Sequence, residues 1–344
     1  MGSNVEPAGQ NKSIRVIAAY SGGLDSILAA VFMQRLGFDV QLLHVQHLFS
    51  ANEAGRERLR VAADRAGLPL RVVDVSEEHL ETIRRPKHGY GQGMNPCIDC
   101  RIFMLKIAKR VMDEEGAAFV VTGEVLGQRP KSQHLKALLQ ASEESGLGDR
   151  LLRPLCAQHL PDTLPVKEGW IKREDLLAIH GRSRHEQMQL AEEFGVSDYP
   201  QPAGGCVLIE KPYAHRVRDA FSHLGKDDVG LTHFRLFRYG RHFRLSDEVK
   251  IIVGRDEHEN ERLEALAEGR LRIEPVDVPG PTALVEGTPS QQDLVACCAV
   301  TARYCDHAPG DVVRLRVMAT DGEQIVDASP LDKNDPRLAE WSIG

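Results

Sequence analysis

Two stretches of the chain carry side chains able to do chemistry. The first is Tyr20-Ser-Gly-Gly-Leu-Asp-Ser26, which packs two glycines, two hydroxyls and a carboxylate into seven residues. Gly22 and Gly23 allow positive φ and close approach of the backbone to a ligand. Ser21 and Ser26 add hydroxyl donors, and Asp25 is a carboxylate suited to Mg²⁺ that bridges phosphate oxygens. A helix starting at this point turns its free N–H groups toward the same spot and favours an anion. The set reads as a phosphate cradle. It is not the G-x-x-x-x-G-K-[ST] loop, because no lysine closes it, nor the G-x-G-x-x-G dinucleotide fingerprint.

The second stretch is Asn95-Pro-Cys-Ile-Asp-Cys100. Asn95 suits an N-cap and Pro96 a first helical position, which predicts Cys97 and Cys100 on one side of the first turn. A helix N-terminus favours thiolate, so both thiols are expected to be reactive or metal-bound. Far along the chain, Pro202-Ala-Gly-Gly-Cys206 offers a third thiol in a glycine-rich loop. C-x-x-C plus one distant cysteine suits a [4Fe-4S] cluster held by Cys97, Cys100 and Cys206, with one iron left open. A redox pair with an unrelated third cysteine is an alternative, and zinc another, although no fourth ligand is evident. Cys297, Cys298 and Cys305 fall at helical spacing with Leu294, Thr301 and Ala302 and read as core packing, as does Cys156.

The elements that must position these groups alternate. Residues 14–19 read as a buried strand, 27–36 as a helix closed by Gly37, 39–45 as a strand, 52–66 as a helix ending at Gly67, and 70–75 as a strand. A helix over 97–115 and strands at 117–121 and 151–155 follow, with a mobile loop and a short helix between those strands. Such alternation predicts an α/β fold with a doubly wound parallel sheet, Rossmann-like, in which ligands bind beyond the carboxyl ends of the strands. Residues 171–195 read as helical and 197–205 as an irregular loop. From about residue 225 the pattern changes. Strands at 242–245, 249–253, 271–276 and 312–318 flank helices near 257–268 and 290–304, and Asp321-Gly322 suggests a hairpin turn. The expected organisation is a disordered segment over 1–12, a nucleotide-binding domain over 13–222 and a smaller α+β domain over 223–344.

The bulk numbers bound the class. The 344 residues are 42% hydrophobic and 27% charged, ordinary for a globular chain of two or three domains. No apolar run is long enough to span a bilayer, and the first residues show no secretion signal, so a cytoplasmic location without a membrane partner is expected. Seven cysteines in that setting do not suggest a disulfide scaffold. With 43 basic against 50 acidic residues the net charge is −7, which argues against a general nucleic-acid coat but not against local patches. Two such patches stand out: Arg84-Arg-Pro-Lys-His88, and residues 233–244, which interleave cations with aromatic rings.

The Ser21–Ser26 turn after a first strand resembles the pyrophosphatase loop of the ATP-pyrophosphatase (PP-loop, adenine nucleotide α-hydrolase-like) superfamily. Its members split ATP to AMP and pyrophosphate by adenylating a carbonyl oxygen. Val121-Thr-Gly-Glu-Val-Leu-Gly-Gln-Arg-Pro-Lys-Ser-Gln133 resembles a segment of the 4-thiouridine synthetase family, and Asn95–Cys100 a position used by several tRNA thiolases. The resemblance spans residues 14 to about 206. The chain departs from typical bacterial members in its C-terminal part, which shows no rhodanese signature. Residues 225–344 resemble, more weakly, an RNA-binding-like module appended to some thiouridine-synthetase-like proteins.

The resemblance implies ATP-dependent thiolation of a tRNA uridine. It implies an ATP site of Ala19, Tyr20, Ser21, Gly22, Gly23, Asp25, Ser26, His44, Gly123, Glu124 and Gln128. Asp25, Cys97, Cys100 and Cys206 are the expected catalytic residues. The sulfur donor is expected to be inorganic sulfide or a cysteine-desulfurase product, and a homodimer is compatible with the reading. Arg129, Lys131, Arg182 and Arg184 are candidates for RNA or pyrophosphate charge. An amide-forming or nitrogen-transferring ligase of the same superfamily, and a non-catalytic iron–sulfur sensor, are the rival readings.

Overall fold

The computed structural model describes residues 13–50, 53–129, 132–197, 199, 206–320 and 322–344. The chain divides into two compact units, one of residues up to Gly91 with Asn95–Cys206, the other of Gln92–Met94 with Val207–Gly344.

The first unit runs β1 (Arg15–Ala19), α1 (Leu24–Arg35), β2 (Asp39–Gln46), α2 (Glu53–Arg65), β3 (Leu70–Asp74), α3 (Ser76–Arg84), α4 (Cys97–Glu114), β4 (Phe119–Thr122), α5 (Leu135–Glu144), β5 (Leu151–Leu152), α6 (Leu164–Lys167) and α7 (His185–Phe194). Its five strands are all parallel, in the order β3-β2-β1-β4-β5. This is the doubly wound α/β arrangement expected. The alternation of strand side chains separates two cores. Val16 and Ala18 of β1 join α1, α2 and α7 on one face, while Ile17 joins α4 and α5 on the other. The chain reverses its winding between β1 and β4, so the crevice between their carboxyl ends is the topological switch point.

Two departures from the sequence expectation have physical causes. Residues 171–195 were expected to be helical, yet only His185–Phe194 forms an α-helix. Leu177, Ile179 and Gly181 instead donate their backbone N–H groups to Pro154, Leu155 and Leu126. That ladder competes directly with i→i−4 bonding. Helix α3 was not foreseen. Asp74 Oδ1 accepts from the Ser76 N–H at 2.9 Å, and His79, Leu80 and Ile83 bury one face of the helix.

The second unit runs α8 (Lys211–His223), α9 (Leu231–Leu236), β6 (Arg241–Arg244), β7 (Lys250–Val253), α10 (Glu257–Glu264), β8 (Leu271–Pro275), β9 (Ala283–Glu286), α11 (Gln291–Ala302), β10 (Val313–Ala319), β11 (Gly322–Ala328) and α12 (Pro336–Trp341). Its antiparallel sheet is ordered β11-β10-β8-β9-β7-β6. The unit begins at Val207 rather than at 223, and so takes in α8, whose Tyr213 hydroxyl and Arg216 guanidinium bond the Phe234 and Phe237 carbonyls. Strands β10 and β11 pair from Val313↔Ala328 to Ala319↔Gly322, consistent with a tight connection, although Asp321 lies outside the described residues. Cys297, Cys298 and Cys305 are buried in this unit's core. Among the described residues no helix is long and apolar enough to cross a membrane.

Candidate active site

The glycine turn leaves β1 at the switch point. Gly22 has φ +82°, and a Cβ there would come within 2.1 Å of Leu59 Cδ2, so the turn is closed to other residues by both backbone and packing. Gly23 is the N-cap of α1. Ser26 Oγ donates to the Gly23 carbonyl at 2.7 Å and accepts from the Ser21 N–H at 3.3 Å, with Ser21 Oγ also 3.3 Å away. The hydroxyls therefore hold the turn as well as edging it. Tyr20 is buried, its N–H bonded to the Leu43 carbonyl, and its own carbonyl lies 2.9 Å from His44 Nδ1. Burial pushes the His44 pKa down, and the neutral ring leaves Nε2 buried without a partner. Ala19, the last residue of β1, ends the strand directly before Tyr20.

The loop after β4 closes on this turn. A Cβ on Gly123 would stand 2.2 Å from the Asp25 carbonyl oxygen and 2.5 Å from the Ser26 nitrogen, so only glycine lets β4 seat the first turn of α1. Gln128 Nε2 donates to Asp25 Oδ2 at 3.0 Å. Asp25 Oδ1 is buried with no hydrogen-bond partner. An orphaned carboxylate oxygen beside a phosphate cradle fits a magnesium ion, because a hard cation supplies what no donor there does.

Glu124 does something different from what the sequence suggested. Its carboxylate is taken by Arg101 Nε and Arg153 Nε, each at 2.7 Å. Burial pushes its pKa up, but Arg101 and Arg153 outweigh burial and hold it below the usual carboxylate value. The side chain is therefore a tie between the β4 edge and α4 rather than a free ligand. Arg101 is the other end of that tie and also donates to the Ser132 carbonyl and hydroxyl. Nothing in the sequence reading singled out Arg101 or Arg153; a buried arginine next to C-x-x-C was the available signal.

Helix α4 carries the thiols. Pro96, not Asn95, is its N-cap; Asn95 is buried and makes no cap bond. Asp99 anchors the preceding loop by accepting from the Lys87 and His88 N–H groups at 2.9 and 3.0 Å. Cys97 is exposed, and Cys100 and Cys206 are partly buried. Cys206 lies near enough for its charge, like that of Cys97, to raise the Cys100 pKa. Burial is the larger cause, and the Cys100 thiol is pushed up to about 12. The expected thiolate at this helix start is thus overridden at Cys100 by desolvation. The rest of the Pro202–Cys206 loop lies outside the described residues.

Beside Cys100 stands a group the sequence did not announce. His79 Nε2 is 3.3 Å from Cys100 Sγ, and its ring packs on His47 and Phe103 at 4.8 and 5.3 Å between centroids. Burial pushes the pKa of His79 to about 3 and of His47 to about 4. A hydrogen bond thus joins the Cys100 thiol to His79 Nε2. Three thiols, with Cys97 and Cys206 both in electrostatic range of Cys100, match the donor chemistry of an iron–sulfur cluster. Among the described residues no three His, Cys, Asp or Glu side chains group closely enough to hold a single metal ion.

The remaining candidates scatter. Arg129 and Arg182 are exposed, and Lys131 lies outside the described residues. In the Arg84–His88 patch, Lys87 and His88 both pair with Glu144, at 2.7 and 3.1 Å. The aromatic rings of residues 233–244 are core: Phe234 and Phe237 are fully buried and Phe243 nearly so. Cys156 is buried against Leu138 and Leu160.

Residues 11–161 match the family model described as thiamine biosynthesis protein (ThiI). Residues 240–342 match the one described as NFACT protein RNA binding domain. The first match falls on the α/β unit and the second on the antiparallel-sheet unit. Over 222 residues the chain is 32% identical to the tRNA-specific 2-thiouridylase MnmA of Azorhizobium caulinodans, covering 60% of this chain and 54% of that protein. It is 34% identical over 165 residues to a probable tRNA sulfurtransferase of Thermus thermophilus, covering 46% and 36%. It is 28% identical over 202 residues to a probable tRNA sulfurtransferase of Methanothermobacter thermautotrophicus, covering 57% and 44%. The chain spans about half the length, or less, of these curated relatives.

Proposed function

We propose that the chain thiolates a uridine of tRNA at the expense of ATP. What supports this reading is a glycine and hydroxyl turn opening α1 at the switch point, together with an α4 whose first turn carries two thiols and has Cys206 close enough to act on Cys100 electrostatically. ATP is bound with its phosphates over Ser21–Ser26, at the start of α1, where N–H groups and the helix dipole favour negative charge. Asp25, steadied by Gln128, offers its orphaned oxygen to Mg²⁺. The uridine carbonyl oxygen attacks the α-phosphorus and pyrophosphate leaves, which turns an inert carbonyl into a good leaving group. A sulfur nucleophile then displaces AMP.

Cys97, the exposed thiol, is the entry point for sulfane sulfur from a desulfurase-derived persulfide, passed by thiol–persulfide exchange that leaves the donor as a thiol; inorganic sulfide needs no change of oxidation state and attacks the adenylated carbon directly. Cys100 and Cys206 are more buried than Cys97. A [4Fe-4S] cluster held by the three would supply an iron free of protein ligand and suited to carrying sulfur. The Glu124–Arg101 tie keeps the thiol-bearing turn in register with the cradle. The relatives named as tRNA thiouridylase and sulfurtransferases support the reaction class.

The test is mass spectrometry of tRNA nucleosides from cells lacking the gene, complemented with the intact chain or with Cys97→Ser. One thiolated nucleoside should vanish, return with the intact chain and stay absent with the variant. An unchanged nucleoside profile on deletion overturns the proposal.

A further inference from the structure

The second unit holds a cavity of about 480 Å³, in the size range of small-ligand clefts. Four cations line it: Arg241 of β6, Arg255 after β7, Arg303 at the end of α11, and Lys333. Its one tyrosine, Tyr304, stacks on Phe243 with centroids 6.3 Å apart and planes 29° from parallel. The Arg241 guanidinium lies 4.5 Å from the centre of the Tyr304 ring and the Arg303 guanidinium 5.7 Å. A backbone bond from Arg241 Nη1 to the Gly254 carbonyl, 3.0 Å, fixes the first of these planes.

The charges are not all spent. Arg255 pairs with Glu259 at 3.4 Å, but among the described residues neither Arg303 nor Lys333 has a carboxylate within ion-pair reach. Arg303 Nε is buried with no hydrogen-bond partner. Asp335, the one acidic side chain on the lining, is occupied by Arg337 at 2.7 Å, which holds its pKa below the usual value. The site thus offers a flat guanidinium on an aromatic stack next to two uncompensated cations.

We propose that this cavity binds one unstacked nucleotide of a single-stranded RNA segment. Its base stacks on the Arg241–Tyr304 ladder, and its phosphate is held by Arg303 and Lys333. Aromatic and guanidinium planes are the means by which proteins hold splayed bases, and the uncompensated cations match the backbone. A duplex keeps its bases turned inward and cannot enter a cleft of this size. The proposal rests on the reading above only in taking RNA as substrate, and it assigns a second, separate place for that substrate.

The test uses the full chain without ATP and a fluorescent single-stranded RNA oligonucleotide, followed by anisotropy. Blunt RNA duplex and AMP serve as competitors. The double variant Arg303→Gln, Lys333→Gln should weaken binding about tenfold and flatten the dependence of log Kd on log salt by roughly one to two. Arg303→Lys should recover most of the loss. AMP tests a free nucleotide as the source of the same chemistry: competition as strong as the oligonucleotide's would assign the cavity to a free nucleotide and not to RNA. Three results would each overturn the proposal: variants that bind like the unmodified chain, blunt duplex that competes as well as the single strand, or AMP that competes as well as the oligonucleotide. The nucleoside profile is read independently, so a chain that fails to thiolate yet binds RNA through Arg303 leaves this site standing.

Discussion

At Gly123 a single hydrogen decides whether the cradle forms. A methyl group there would lie 2.2 Å from the Asp25 carbonyl, and backbone cannot yield as a flexible side chain can. Gly123→Ala is expected to push the start of α1 away from β4. ATP affinity, measured by equilibrium binding, should fall by more than about tenfold while far-ultraviolet circular dichroism stays that of the intact fold. Unchanged ATP affinity would show that the turn and the β4 loop do not share a ligand. The two C-x-x-C thiols should also separate. Cys97 is exposed, whereas burial pushes Cys100 to about 12. Alkylation by iodoacetamide, read by peptide mass spectrometry, should label Cys97 first and leave Cys100 slow even at pH 9, since the thiolate is the nucleophile. Equal labelling rates would contradict the buried, protonated Cys100–His79 pair.

Among elements, buried ion pairs tie strand to helix and strand to strand. Glu124, just after β4, is joined to α4 through Arg101 and to the end of β5 through Arg153. Replacing it with Ala leaves two guanidiniums in a buried site without their carboxylate, at a cost of about 3–5 kcal/mol in unfolding free energy by urea titration. In the second unit Glu286 of β9 faces Lys250 of β7 in register, 2.9 Å apart, with Arg270 at 3.3 Å. Burial pushes Glu286 up, but Lys250, His233 and Arg270 outweigh it and hold the pKa to about 2, against an ordinary 4.5. A carboxylate with a depressed folded pKa adds stability that is complete above pH 4.5 and fades as pH falls toward 2. Glu286→Gln should be less stable than the unmodified chain at pH 7, and the gap should close across that window. A gap that stays constant with pH would rule out the charge as its cause.

For the whole molecule, the sharpest prediction concerns residues more than a hundred positions apart. Anaerobic treatment with iron and sulfide should give the visible absorbance of an iron–sulfur cluster. Cys97→Ala, Cys100→Ala and Cys206→Ala should each abolish it, and Cys297→Ala, in the core of the other unit, should not. Retention of the absorbance by Cys206→Ala would break the trio. Much of this protein was legible in its order of residues. The apolar strand, the glycine turn and the helix that follows are local: short-range sterics and side-chain periodicity decide them, so β1, α1, β2 and the parallel sheet could be read directly. The fate of a side chain is not local. Glu124 looked like a ligand until Arg101 and Arg153 claimed it, and Cys100 looked like a thiolate until burial protonated it. Residues 176–184 looked helical until the backbone carbonyls of Pro154, Leu155 and Leu126 offered better partners. The sequence by itself determined the glycine turn at the end of the first strand and which thiols were available. Only the tertiary structure decided which charges were already spent, because desolvation and pairing depend on neighbours that the chain brings together from a distance.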